Sequence, residues 1–221
     1  MSKQFIPFNK PIELTDVEMV SRSNKFHDFM KTRRTIRDFS RKEVPLEVID
    51  NCLRTAGTAP SGANQQPWHF VVVRDASLKT QIRIAAEEEE KQFYAGRAGD
   101  TWLETLEHLG TDAHKPFLEE APVLIAIFEQ KYAVNEQGDK IKHYYAKESV
   151  GIATGMLITA LHNVGLVTLT HTPSPMNFLT KILKRPAGER PFLLLVVGHP
   201  AKDVQVPHLD KKDLPDMSSN F

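Results

Sequence analysis

The stretch TAPSGANQQPWHFVVV, residues 58–73, passes from a turn into a strand, and its reading organises the segments around it. Pro60, Ser61, Gly62 and Asn64 make a donor-rich turn, in which Gly62 allows a backbone approach that a side chain would block. Trp68 is a core anchor, and FVVV (70–73) is a β-branched run fit for a buried strand. Upstream, Val48, Ile49, Cys52, Leu53 and Ala56 share one face, so 45–57 reads as an amphipathic helix with Pro45 in its first turn. The turn therefore joins a helix to a strand. It is either an ordinary connection or a ligand loop.

Downstream the alternation continues. VLIAIF (123–128), LVTLT (166–170) and FLLLVV (192–197) read as buried strands. Segment 148–163 is an apolar helix whose Gly151 and Gly155 allow close approach at a core or a dimer seam, and 177–184 is a short helix followed by Pro186. The expected architecture is one α+β domain over 1–221, with a mixed central sheet flanked by helices. The tail, 200–221, has little periodicity and is expected to be extended and to embrace a partner subunit.

Composition narrows the function classes. Lys plus Arg and Asp plus Glu number 28 each, so no net field draws the chain to nucleic acid or an anionic membrane. Any basic cluster must serve small anions. Cys52 is the single cysteine, which excludes an internal disulfide and fits a reducing compartment. Neither a signal peptide nor a membrane span is legible, so a cytoplasmic protein is expected. The nine histidines have no HExxH or paired spacing, and no metal site is expected. There is no GxGxxG, so a nicotinamide would visit only transiently.

Two charged segments are candidates for chemistry. RRTIRDFS (33–40) places Arg33, Arg34 and Arg37 around the Thr35 hydroxyl, which is either a solvated basic helix end or a phosphate and ring-edge site. EEEEKQFY (87–94) puts Glu90 and Tyr94 at i and i+4 on one face, with Glu87 near that stripe and Glu88 and Glu89 turned away. Lys115 comes after a second helical segment, 101–109. A carboxylate, a phenol and an ammonium together could grip a zwitterion, and a solvated acidic face is the plain alternative.

RRTIRDFS, a helix and then APSGANQQPW before FVVV resemble the FMN-dependent nitroreductase superfamily. Within it, EEEEKQFY, HYYAKESVGIATGMLITALHNVGLVTLTHTP and VVGHP make the chain similar, from about 30 to 211, to the iodotyrosine deiodinase family, in a soluble form without the vertebrate membrane anchor. The resemblance implies an intertwined homodimer with two FMN sites at the subunit interface. Arg33, Arg34, Thr35 and Arg37 would bind the FMN phosphate and pyrimidine, and Pro60, Ser61 and Gly62 would line the ring. Thr170, His171 and Thr172 would pass its edge, with the Thr172 hydroxyl as the catalytic donor toward N5. Lys211 stands where vertebrate members carry Arg, keeping the phosphate cation but not the fork. His171 stands where a smaller hydroxylated residue is expected, and its role is open.

The substrate triad falls on Glu90, Tyr94 and Lys115, within a lid at about 88–115, and the Ala63 N–H would meet the substrate phenolate. One glutamate of the four would then hold a ligand, with the others solvated. His114 would be a solvated lid residue, and Tyr144 and Tyr145 packing residues. The implied activity is reductive dehalogenation of halotyrosines. The electron donor is open, with NADPH acting through a reductase as one route. A broad NAD(P)H-dependent nitro- or quinone reductase and a non-catalytic flavin-binding module are the alternatives.

Overall fold

In the computed structural model, which describes residues 5–9, 12–107 and 109–221, the chain falls into two compact units, one ending at Arg33 and the other spanning Arg34–Phe221. The first holds α1 (Asp16–Lys31). Thr15 and Glu18 start it as a capping box, the Thr15 N–H donating to Glu18 Oε2 at 2.8 Å and the Glu18 N–H to Thr15 Oγ1 at 3.3 Å. No residue of α1 is buried. Caps and propensity alone leave a helix of this length marginal.

The second unit is built on β7 (Glu189–Pro200). It pairs with β1 (Phe39–Ser40), β3 (Val123–Gln130) and β6 (Val167–His171), and β2 (Trp68–Val73) pairs with β3 in turn. These ladders are all antiparallel; among the described residues the sheet is mixed only through one isolated parallel bridge, Thr35 to Thr168. A separate hairpin joins β4 (Tyr132–Val134) to β5 (Lys140–Lys142).

Side chains alternate across a strand, and here both faces are covered. Leu124, Ala126 and Phe128 of β3, with Leu194 and Val196 of β7, meet Ile82 and Ala86 of α3 (Ala76–Gln92), Phe117 and Leu118 of α5 (Phe117–Glu120) and Leu179 of α7 (Asn177–Ile182). Val123, Ile125 and Ile127, with Leu195 and Val197, meet Ile49, Cys52 and Ala56 of α2 (Leu46–Gly57) and Val150, Leu157 and Leu161 of α6 (Ala146–Asn163). Two-sided burial is why these strands read as unbroken apolar runs.

The structure narrows one expectation and adds to another. An added Cβ on Gly155 would meet nothing within 4 Å, and one on Gly151 only Phe192 at 3.9 Å. The two glycines therefore serve no close approach within the chain, and Ile152 between them is exposed. The tail is also not independent of its own chain along its whole length. Val204 and Val206 pack on the α3 side of the sheet, and the Ala201 N–H donates to Asp38 O at 3.0 Å. From His208 onward the residues are exposed.

Candidate active site

Lys79, Ile82 and Ala86 are the buried residues of α3, and Glu90 lies four positions beyond Ala86 on the same stripe. The helix thus aims Glu90 inward at its C-terminal end. A π-turn, Phe93–Arg97, comes next, with the Ala98 N–H donating to Phe93 O at 3.1 Å and Gly96 at φ 133°. That wide turn keeps Tyr94 beside Glu90 and then reverses the chain toward α4 (Asp100–Glu107).

Lys115 reaches the same place from the other side. It precedes Pro116 and the buried Phe117 and Leu118, which fix its backbone. Its N–H donates to Glu87 Oε1 at 2.8 Å, and Glu87 Oε2 accepts from Arg83 Nη1 at 2.9 Å. Lys115 is 3 % exposed, with its Nζ 3.3 Å from Glu90 Oε2. The Tyr94 hydroxyl donates to Thr111 O at 3.0 Å. Burial, reinforced by Glu90 and Asp112, pushes the Tyr94 phenol up against that hydrogen bond, so it remains a donor at neutral pH.

Arg37 and the end of β6 line the same cavity. The Ile36 N–H donates to Thr168 O at 3.1 Å, which lays this segment along β6. Ile36 enters the core, and its neighbour Arg37 points the other way. The Arg37 guanidinium is half-buried, and desolvation lowers its pKa despite the fields of Tyr94 and Asp38. His171 is 7 % exposed, and its ring meets Phe117 edge-on at 5.6 Å. Its Nε2 is buried without a partner among the described residues. Burial, then the Lys115 charge, depress its pKa to about 3, so the imidazole is neutral.

Arg37, Glu90, Tyr94, Lys115, Thr170, His171 and Thr172 line one open cavity of about 360 Å³, together with Phe93, Leu106, Thr111, Phe117, Leu169 and Ser174. The arrangement offers a carboxylate, a phenol and an ammonium together with a guanidinium that has no ion-pair partner among the described residues, two threonine hydroxyls and aromatic side chains. Arg37 and the Thr170–Thr172 strand match the anionic and hydrogen-bonding edge of a flavin, so the donor set fits such a cofactor. Among the described residues no cluster of metal ligands forms.

A family model described as the nitroreductase family matches residues 30–199. Iodotyrosine deiodinase from Haliscomenobacter hydrossis is 56% identical over 209 residues, covering 95% of this chain and 94% of its own. Human iodotyrosine deiodinase 1 is 46% identical over 212 residues, covering 96% of this chain and 73% of its own. The chain belongs to the nitroreductase family, in its iodotyrosine deiodinase branch. A crystal structure of oxidised iodotyrosine deiodinase bound to FMN and 3-iodo-L-tyrosine superposes with a TM-score of 0.75 at 34% identity, over 88% of this chain and all of that one. A nitroreductase with bound FMN from Bacteroides fragilis, at 18% identity and a TM-score of 0.63, shares the fold.

For a nitroreductase-family chain, several expected site residues lie away from this cavity. Arg33 closes the first unit, its N–H donating to Met30 O at 3.1 Å. Arg34 Nη2 donates to the Pro207 carbonyl, so it holds the tail. Thr35 forms the bridge to Thr168. Lys211 is exposed in the tail.

Pro60, Ser61, Gly62 and Ala63 are absent from the cavity wall, because their turn docks on the start of α6. The Gly62 N–H lies 3.4 Å from Ser149 Oγ, and an added Cβ would sit 2.7 Å from Tyr144 O. The absence of a side chain at Gly62 therefore serves the chain's own packing. Ala63, at φ 50°, makes no backbone hydrogen bond through its N–H among the described residues, so that donor is free.

The acidic run also needs correction. Glu88 is exposed, but Glu87 grips Arg83 and the Lys115 backbone. Glu89 Oε2 lies 3.1 Å from Arg97 Nη1, and Arg97 also donates to Glu89 O and to the Ser174 carbonyl. Only one of the four glutamates is merely solvated. His114 is exposed as expected, though its Nδ1 lies 3.1 Å from Glu87 Oε1. Tyr144 and Tyr145 are 58% and 73% exposed, and the contacts they make are with the turn that carries Gly62.

Proposed function

We propose that the protein is an FMN-dependent oxidoreductase that removes iodide reductively from 3-iodo- and 3,5-diiodo-L-tyrosine, yielding tyrosine. The observation that carries this reading is the shared cavity, which Glu90, Tyr94 and Lys115 line together with Arg37, Thr170, His171 and Thr172. A promiscuous reductase has no use for a zwitterion clamp. Glu90 takes the α-ammonium, and Tyr94 and Lys115 take the α-carboxylate through charge-assisted hydrogen bonds. Phe93 and Phe117 shield the aromatic ring from water. FMN, when bound, supplies the two electrons that with one proton replace iodide by hydrogen. Arg37 holds its anionic edge, and the Thr172 hydroxyl donates to the ring nitrogen nearest it, favouring one-electron steps.

The whole chain serves as a single FMN-binding domain, with about 88–115 acting as a lid. The protein works as a homodimer, a second copy bringing the 60–63 turn and its free Ala63 N–H to the substrate phenolate. Two features support the dimer: the exposed Ile152 face of α6, and the exposed Leu214, Met217 and Phe221 of the tail, which embraces the partner. Lys211 and the remaining arginines then serve the phosphate. Among the described residues no helix is long and apolar enough to cross a membrane, in keeping with a cytoplasmic site. NADPH reaches the flavin through a separate reductase.

The test uses purified protein. Released flavin should co-elute with FMN, and 3-iodo-L-tyrosine should quench flavin fluorescence saturably. Reduction under anaerobic conditions should then release one iodide per two electrons. FAD, an absence of flavin, or reduction without halide release would remove the assignment.

A further inference from the structure

A second cavity, of about 280 Å³, shares no lining residue with the one described above. It opens between the segment after β1, the start of α3 and the end of α5. Arg41, Glu43, Ala76, Lys79, Glu119 and Glu120 are among its walls.

Lys79 is the unusual member. It is 8% exposed, and its Nζ donates to the Glu119 carbonyl at 2.9 Å and to the Ala121 carbonyl at 2.8 Å. Those bonds cap the end of α5 and use two of the ammonium's three protons. They do not match its charge. Glu43 and Glu119, whose fields reach it, are each bound to another cation, Glu43 to Arg74 at 2.6 Å and Glu119 to Arg83 at 2.7 Å. Desolvation accordingly lowers the Lys79 pKa, with those two fields opposing it and that of Arg41 adding to it.

Buried charges are paired as a rule. An unmatched ammonium in a cavity wall is therefore a place for an anion, and its surroundings agree. Arg41 is exposed and has no ion-pair partner among the described residues. Ala76 opens α3, whose first N–H groups add partial positive charge. Glu120 is the discordant group, since it too has no ion-pair partner among the described residues. A carboxylate repels an anion that has lost every proton, but it accepts a hydrogen bond from one that keeps a proton.

We propose that this cavity binds inorganic phosphate as hydrogen phosphate, with Arg41 and Lys79 on its anionic oxygens and the Glu120 carboxylate accepting from its P–OH. The site needs neither a halotyrosine nor turnover, so it does not rest on the function proposed above. Its selectivity follows from the proton. Sulfate has the same shape and no proton to donate. A phosphate monoester, with its second pKa at about 6, has also lost its proton by about pH 8, where inorganic phosphate still holds one.

The experiment titrates the FMN-loaded protein calorimetrically at about pH 8, so that a phosphate site belonging to the flavin is filled, and at constant ionic strength. The probes are inorganic phosphate, sulfate and methyl phosphate. Phosphate should bind saturably with a Kd on the order of 1 mM. Sulfate and methyl phosphate should bind at least about 10-fold more weakly, because each sets an oxyanion against Glu120. In Glu120→Gln, whose amide donates as well as accepts, the three anions should bind within about twofold of one another.

Lys79→Met removes the cap of α5 together with the charge, so Arg41→Gln, at an exposed position, tests the site without endangering the fold. It should weaken phosphate about 10-fold. Lys42→Gln, at the exposed neighbour, should leave phosphate binding unchanged. Phosphate affinity equal in wild type and Arg41→Gln would put the anion elsewhere and overturn the proposal, as would an absence of saturable binding. Sulfate bound as tightly as phosphate by wild type would overturn it too, leaving only an unselective cationic surface.

Discussion

Replacing Glu87 by Gln separates the structural glutamate of the acidic run from Glu90, the one proposed to hold the ligand. Glu87 accepts from the Lys115 N–H at 2.8 Å and from Arg83 Nη1 at 2.9 Å, and its Oε1 lies 3.1 Å from His114 Nδ1. An amide keeps one acceptor oxygen and turns an NH2 toward the other donor. It therefore loses one charge-assisted bond and weakens the second. A hydrogen bond to a charged group contributes about 1.5–3 kcal/mol. Arg83 is not stranded, since its Nε keeps Glu119 Oε1 at 2.7 Å, which places the expected loss near the lower end, about 2 kcal/mol. For a chain of this size that is a fall in Tm of about 4–8 °C.

The pH dependence comes from the carboxyl's depressed pKa. Burial pushes it up, but the Lys115 N–H, Arg83 and His114 outweigh burial and hold it below the ordinary carboxylate value. A depressed carboxyl contributes stability that is complete above its unfolded pKa, about 4.3, and is lost as pH falls through the lower folded value. The gap in Tm between wild type and Glu87→Gln should be constant from pH 6 to 8 and close below about pH 4. Iodotyrosine affinity should fall about 10-fold as the Lys115 backbone loosens, with FMN content unchanged. Glu88→Gln, on the exposed side, should alter neither stability nor affinity. Equal effects at 87 and 88, or a gap that does not narrow as the pH falls below about 4, would refute the assignment.

His171 is buried with a pKa of about 3, below its unfolded value of about 6.5. Its contribution is present above the unfolded pKa and is lost as pH falls toward the folded one, so wild type should lose about 2 kcal/mol between pH 6.5 and 5. Denaturant titrations of His171→Gln should lack that component, and an identical loss would show that the ring is not buried neutral. Gly62→Ala puts a Cβ 2.7 Å from Tyr144 O and 3.2 Å from Tyr145 Cδ2, a clash worth about 1–3 kcal/mol. Gly57→Ala, with nothing within 4 Å, is its control, and equal Tm values for the two would remove the packing argument. Thr172→Ala removes one hydroxyl donor, worth about 1 kcal/mol. It should lower deiodination in a graded way while nitroreduction holds or rises; loss of both together would mean that Thr172 serves folding.

The strands were legible because both faces of the sheet are covered. A two-sided strand such as VLIAIF has no alternation to misread, and its partners in β7 carry the same signature. The face of α2 was equally plain, since Ile49, Cys52 and Ala56 repeat at helical spacing. Close approach was harder to place. A glycine in a sequence says only that a side chain is not tolerated. It does not say whether ligand or backbone stands there. At Gly62 it is the Tyr144 carbonyl, and at Gly155 nothing within the chain. The docking of the tail's first residues on their own chain was illegible for a related reason. Val204 and Val206 are too few to show periodicity, yet two apolar side chains and Arg34 on the Pro207 carbonyl hold this irregular segment to the chain.

The site divides along the same line. Glu90, Tyr94 and Arg37 obey local rules: helical spacing carries the Ile82–Ala86 stripe on to Glu90, and extended alternation turns Arg37 away from buried Ile36. What sequence could not supply was the competition among partners. Four glutamates in a row look alike, and their different fates depend on Arg83, Arg97 and Lys115, the last of them at a long separation in sequence. Arg97 is the sharpest case. A π-turn, which has no composition signal, brings its guanidinium back onto Glu89 and across to the Ser174 carbonyl, tying the end of α3 to the loop that carries Thr172. Local pattern thus sets which face a charge occupies, and tertiary closure sets whom it meets. An acidic run can therefore be a scaffold at one glutamate, a latch at the next but one, and part of a cavity wall at the last.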